Sequence, residues 1–439
     1  MLALSLQETV TALLLLFLTT YIIYSLIPSA RDAHPLVVLQ QSNLGSIRQP
    51  GESGVYRSHF CPHGLPLLRG LQIQADNYRL RNGNMGDLLE LASDTVSYQN
   101  VRKLGSFLKP NVTIIWDKNK PEFVEILFAC ALYNLSVVVI SDEYTGEALK
   151  EAIKVSNPGI LVKNGEFGVL LNDTSYETVK NTYSEEEFPA LDESYGFLGF
   201  PVSDIHRKIA IKYYNHANIV AAIVGQLKGF PATHEVTQKD TVYFADASIG
   251  KPFPLVLYLA TLAIGAGVVT ELDQATIVVT TQDRVSRLLS TKLSLWQRFK
   301  LSRAESSLAN GCLNRSGVLT EYSKCRMLFF AAQEPALTSV QVGKIRALTG
   351  SHIVYSLMSR ECLSPVAQTN IYDYRLINGV VFGPPPPCLE GKVQSESDDK
   401  VTKGQLVIQS PAADKGWLET EYFGEWGADG AWRLKSYST

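Results

Sequence analysis

Between Val112 and Lys163 the chain alternates short, wholly apolar runs with longer amphipathic ones, and this alternation limits the possible folds more than any other feature. VTIIWD (Val112–Asp117), SVVVIS (Ser136–Ser141) and GILVK (Gly159–Lys163) have the length and composition of buried strands. Between the first two lies KPEFVEILFACALYNL (Lys120–Leu135), at helical spacing, with Pro121 in the first turn and Glu122 near the positive end of the helix dipole. TGEALKEAIKVSN supplies a second amphipathic helix. Strand, helix, strand, helix, strand in one short stretch predicts a parallel sheet with right-handed crossovers. The pattern returns in an apolar helix at Val256–Ile264, then GAGVVTEL and TIVVTT (Thr276–Thr281). GQLVIQS and GAWRLKS read as strands of a smaller, β-rich C-terminal part. The fold class expected is α/β: mostly parallel sheets flanked by helices, a β-rich end, and one transmembrane helix in front.

That helix is expected in residues 1–28, from VTALLLLFLTTYIIYSLI (Val10–Ile27), an uncharged run closed by Pro28. Tyr21 and Tyr24 suit a membrane interface. The competing reading is a cleaved signal peptide. Against it, no Lys or Arg precedes the run, although SLIPSA offers small residues. Arg31, Arg48 and Arg57 follow the run while only Glu8 precedes it, so the positive-inside rule places the large domain in the cytosol. The expectation is a single-pass protein of the endoplasmic reticulum or lipid droplet. The sequons at Asn111, Asn134, Asn172 and Asn314 are then chance matches. Residues 29–95 read as an irregular lead-in, and 96–439 as the main domain.

The 439 residues include 46% hydrophobic and 10% aromatic residues, enough for a real core. Forty Lys+Arg against 43 Asp+Glu leave a formal charge of −3, so no basic field points to nucleic acid. Six scattered cysteines form no CxxC pair, and His is sparse, so no metal site is expected and the thiols read as small buried hydrophobes. No G-x-S-x-G, HExxH, Walker A or G-x-G-x-x-G motif occurs.

An ordered series of short pieces resembles the long-chain acyl-CoA synthetases of the AMP-binding, adenylate-forming ligases. The pieces are Pro50–Ser58, Leu104–Leu108, Asn119–Phe123, Ala129–Cys130, Gly146–Leu149, N-H-A-N-I-V-A-A (Asn215–Ala222), Gly383–Val393 and G-Q-L-V-I-Q-S-P (Gly404–Pro411). Each is weak alone; their order across about residues 40–439 is specific for the fold. The resemblance implies a large domain that binds ATP, magnesium and a fatty acid. It also shows what has changed. The family's glycine- and hydroxyl-rich phosphate loop falls at Pro201–Ile211, where Ser203 survives, Asp204 and Arg207 replace glycines, and Lys208 stands near the family lysine's place. The Y-G-x-T-E motif reads Tyr355–Ser359, with Met358 for Thr, Ser359 for Glu, and Glu361 two residues on. After Asp429-Gly430-Ala431-Trp432 come Leu434, Lys435 and Ser436 in place of T-G-D, and the C-terminal lid with its catalytic lysine is not matched.

The expectation is therefore a pseudoenzyme of lipid metabolism, with no intact catalytic set and no cofactor, that binds fatty acid or acyl-CoA or acts as a regulator or scaffold. Its partners would be the lipid bilayer and proteins at the membrane. The alternative is an atypical, weakly active fatty acid-CoA ligase using ATP and Mg through Ser203, Lys208 and Glu361, with Tyr355 against the cofactor. A truncated product of a longer gene is a third reading. Phe253–Val269 is either the wall of an acyl tunnel or a buried helix and turn. The plain readings of His216, Asn218 and Tyr355 are fold residues, and of Glu361 a solvated carboxylate.

Overall fold

The computed structural model describes residues 6–26, 31–46, 49–74, 79–115, 122–163, 166–172, 175–178, 188–203, 208–395 and 401–437. Three main sheets organise them, together with a two-stranded ribbon. The first main sheet runs in the order Ile209–Tyr214, Leu198–Ser203, Val137–Ile140, Val112–Ile115, Ile160–Lys163, Glu166–Asn172, Ser175–Thr178. Its four middle strands are parallel, and the outer pairs antiparallel. The second sheet runs Gly267–Val269, Thr241–Ala245, Ile277–Thr280, Met327–Ala331, His352–Leu357, Ala367–Gln368, all parallel but the last. The third is antiparallel and closes the C-terminal part, from Glu390–Gln394 to Trp432–Tyr437.

The alternation predicted for Val112–Lys163 is present: helices Glu122–Leu132 and Gly146–Ser156 separate the three strands. The second helix stops at Asn157, whose left-handed φ of 44° suits an amide side chain better than a branched one. Trp116–Pro121 lie outside the described residues. The lead-in is more ordered than its composition suggests. Ser42–Leu44 and Tyr56–Ser58 add two strands to the third sheet, and helix Met85–Leu91 is capped by Asn84 and Asp87 acting reciprocally.

One continuous core joins the sheets. Helices His216–Leu227 and Pro252–Ala263 lie in it with almost every side chain buried, the all-round apolar pattern of a helix with no wet face. Gly225 is a glycine for packing: a Cβ there would stand 2.3 Å from the Cys388 Sγ, so any side chain would push the helix off the third sheet's root.

The expected single-pass anchor in residues 1–28 does not hold. Among the described residues no helix is long and apolar enough to cross a membrane. Helix Leu6–Leu26 opens on Gln7, Glu8, Thr9 and Thr11. The placement in the endoplasmic reticulum or lipid-droplet membrane, with the domain on the cytosolic side, falls with it. Residues 1–5 and 27–30 lie outside the described residues.

Two buried histidines make stability depend on pH. His216 accepts from the Met85 amide through Nδ1 at 3.4 Å. Burial pushes it down to about 4. His352 meets His234 at 3.0 Å between Nε2 atoms, and burial, then His234, push it down to about 3. Unfolded histidines titrate near pH ~6.5, so below that pH the unfolded chain takes up protons that the folded chain refuses. Stability should be complete at pH 7 and fall by roughly 2 kcal/mol per histidine at pH 5. Denaturant titrations at both pH values check this; a pH-independent midpoint, or an unchanged slope in His352→Gln, would contradict it.

Candidate functional site

The carboxyl ends of the parallel strands of the first two sheets face a common cavity of ≈ 310 Å³. Ser141, Glu143 and Tyr144 follow the strand Val137–Ile140. Thr280, Thr281 and Gln282 end or follow Ile277–Thr280, and Ala331, Ala332 and Gln333 end or follow Met327–Ala331. Met358, Ser359 and Arg360 follow His352–Leu357. Phe200, Pro201, Val202 and Tyr214 come from the hairpin of the first sheet, and Gly250–Pro254 bring the first turn of helix Pro252–Ala263. The wall is mostly apolar, with charge at Glu143, Lys251 and Arg360.

Two buried polar atoms of the wall, Thr280 Oγ1 and Gln333 Oε1, have no hydrogen-bond partner in the protein. Gln282, by contrast, is saturated. Its Nε2 donates to the Gln333 and Pro335 carbonyls at 3.2 and 2.8 Å, and its Oε1 accepts from the Gln333 amide at 3.0 Å and Tyr355 Oη at 2.7 Å. It ties the loops after two neighbouring strands to a third. Cys362 lines the cavity, but burial pushes its thiol up to about 12, the behaviour of a packing group rather than a nucleophile.

The sequence candidates separate. Tyr355 is fully buried between Phe330 and Phe382, both at 4.9 Å between ring centroids, and its hydroxyl also accepts from the Leu337 amide at 2.8 Å. It holds the cavity floor through Gln282 and does not line it. Ser203 is exposed at the end of its strand, paired with Ile209, and its carbonyl accepts from Arg360 Nη1 at 3.2 Å. Lys208 is exposed on the far side of the turn; 204–207, including Asp204 and Arg207, lie outside the described residues. Pro201–Ser203 and Ile209–Ile211 are paired as strands, so much of the stretch matched to a phosphate loop spends its backbone on a ladder.

Glu361 does not face the cavity. It pairs with Lys212 at 2.9 Å and stands 3.6 Å from Arg360 Nε. Burial opposes the Lys212 charge, but hydrogen bonds to Asp414 and Glu361 carry the ammonium above its ordinary value. Ser359, in the family glutamate's place, donates to Glu421 at 2.7 Å and accepts from the Glu361 amide at 3.2 Å. The one carboxylate among the lining residues, Glu143, is paired with Lys251. At the other end of the motif series, Asp429 accepts from Arg375 at 2.7 Å, and Lys435 pairs with Glu425 at 3.2 Å. Glu143, Glu361 and Asp429 are thus each paired with a cation, and Glu421 accepts from Ser359.

Arg360, Lys251, Thr280 and Gln333 were not singled out in the sequence. The available signal was position, since polar residues directly after a buried parallel strand stand where such sheets bind ligands.

No protein-family model matches the chain. The Saccharomyces cerevisiae protein YHR045W is 22% identical over 507 residues, covering 92% of this chain and 90% of its own. Among solved structures, VinN is similar at a TM-score of 0.57 and 14% identity, over 81% of this chain and 99% of VinN. The o-succinylbenzoate CoA synthetase of Bacillus subtilis is similar at 0.60 and 13%, over 80% of this chain and 78% of its own. The N-terminal domain of FACL13 from Mycobacterium tuberculosis is similar at 0.60 and 10%, over 81% and 99%. The chain therefore has the fold of the adenylate-forming ligases' large domain.

If Tyr355 supports the floor without touching a ligand, Tyr355→Phe should cost about 1–3 kcal/mol of stability, because the Leu337 amide and Gln282 lose a buried partner. Thermal denaturation with and without nucleotide checks this. A wild-type response to ATP that the variant lacks would return Tyr355 to the cofactor.

Proposed function

We propose that this chain is a pseudoenzyme: it binds an acyl ligand in the cavity at the strand ends, does not activate it with ATP, and serves lipid metabolism as a carrier, regulator or scaffold. The observation that carries the reading is the contrast between the cavity and its surroundings. An apolar space of ≈ 310 Å³ persists, with two unpaired polar atoms in its wall. The carboxylates that magnesium would need are engaged elsewhere. Arg360 at the cavity suits an anionic head group, and the apolar wall suits a hydrocarbon tail. The volume suits a short or medium fatty acid lying wholly inside. A longer chain would have to leave through the open side. Phe253 and Pro254 line this cavity, whereas Leu257, Ala260 and Thr261 meet a void of only ≈ 20 Å³, room for about one water, so beyond its first turn Phe253–Val269 reads as a buried helix and turn rather than a tunnel wall.

The second reading, an atypical fatty acid-CoA ligase, rests on Arg360, which touches both the Ser203 carbonyl and Glu361 and so brings two of the three sequence candidates together. Thermal shift separates the two. Fatty acids should stabilise the folded chain by about 2.7 kcal/mol at a hundredfold excess over Kd, and Mg-ATP should do nothing. Ala332→Trp, which fills the cavity, should abolish the fatty-acid shift. Saturable stabilisation by Mg-ATP would favour the ligase, and no response to any fatty acid would remove the acyl ligand from the reading.

A further inference from the structure

Helix Leu295–Ala309 carries apolar side chains on the face turned away from the protein. Its inner face is Leu301, Ala304 and Leu308, packed in a small cluster with Ala347 and Tyr374. At about 100° per residue, Leu295, Trp296 and Phe299 fall on the opposite side. They are 84%, 66% and 47% exposed. The Trp296 and Phe299 rings stack on each other with centroids 5.6 Å apart, both open to solvent. Exposed aromatic and apolar groups gathered in one place mark a contact surface. The charge around them has one sign. Residues 291–304 contain Lys292, Arg298, Lys300 and Arg303 and no carboxylate, in a chain whose formal charge is −3.

We propose that this helix is a docking surface for an anionic lipid bilayer. It lies in the plane of the interface, with Leu295, Trp296 and Phe299 in the outer hydrocarbon and the cations against the headgroups. Arg298 and Lys300 flank the apolar arc on either side, where their stems can lie along the interface and their charges reach phosphate. A lipid surface fits better than a protein groove because this face is convex. Its side chains stand out from a single helix, which a fluid interface accommodates without a matching shape. Trp also favours the headgroup boundary. This is not a span, since a 15-residue helix with Arg298, Lys300, Arg303 and Glu305 along it cannot cross hydrocarbon. The proposal is independent of the cavity and its ligand.

The test is quenching of tryptophan emission by brominated acyl chains. The full chain is mixed with phosphatidylcholine vesicles with or without phosphatidylserine. The N-terminal helix Leu6–Leu26 contains no Trp, so contact through it gives no direct signal. We expect quenching on serine-containing vesicles, its loss in Trp296→Phe, and affinity lower by about tenfold or more in Lys292→Glu/Arg298→Glu/Lys300→Glu. Equal quenching of wild type and Trp296→Phe overturns the proposal, as does equal binding to pure phosphatidylcholine. Concentration-dependent dimers that Trp296→Ser abolishes, without vesicle binding, would assign the face to a second copy of the chain instead.

Discussion

Helices His216–Leu227 and Pro252–Ala263 have no side that can face water, and the architecture follows from covering them. One amphipathic layer could not do it. The cover comes from two largely parallel sheets, with the rolled antiparallel part closing what remains. Parallel strands joined by crossovers point their carboxyl ends the same way within each sheet. Where the ends of two such sheets meet, the loops cannot fill the space between them. The cavity stands where these strand ends and the loops that follow them meet.

On the proposed reading, the core holds the cavity while the polar groups around it are engaged with one another. The wall of the cavity is drawn from strand ends and from the first turn of a buried helix, whose positions the core sets. The polar groups beside it come from the segments between and after the strands. There the carboxylates have turned to local cations: Glu361 to Lys212, Glu143 to Lys251, Asp429 to Arg375. Ser359 binds Glu421 by hydrogen bonding.

The fold was readable where short apolar strands alternate with helices of clear period, as in Val112–Lys163, whose three strands have four residues each. Val137–Ile140 could be nothing but a buried strand. The hairpin Leu198–Ser203/Ile209–Tyr214 was less visible, since a motif match drew its residues into a loop and concealed the pairing. Helix Leu295–Ala309 was missed for a physical reason: the outward Leu295, Trp296 and Phe299 cancel the inward Leu301 and Leu308, so no amphipathic stripe appears. The N-terminal run misled in the other direction: its apolar composition predicted a span, and among the described residues no helix is long and apolar enough to cross a membrane. At the site, the substitutions were legible but their new partners were not. Nothing local to Glu361 points to Lys212, 149 residues away.

The central claim is that the cavity holds an acyl ligand without activating it. The most direct measurement is acid-dependent exchange of labelled pyrophosphate into ATP, run on the full chain with fatty acids already shown to bind by calorimetry. No exchange above background is expected at saturating acid, in wild type and Glu361→Gln alike. Exchange that requires the acid and disappears in Glu361→Gln would contradict the claim and establish the chain as a working ligase.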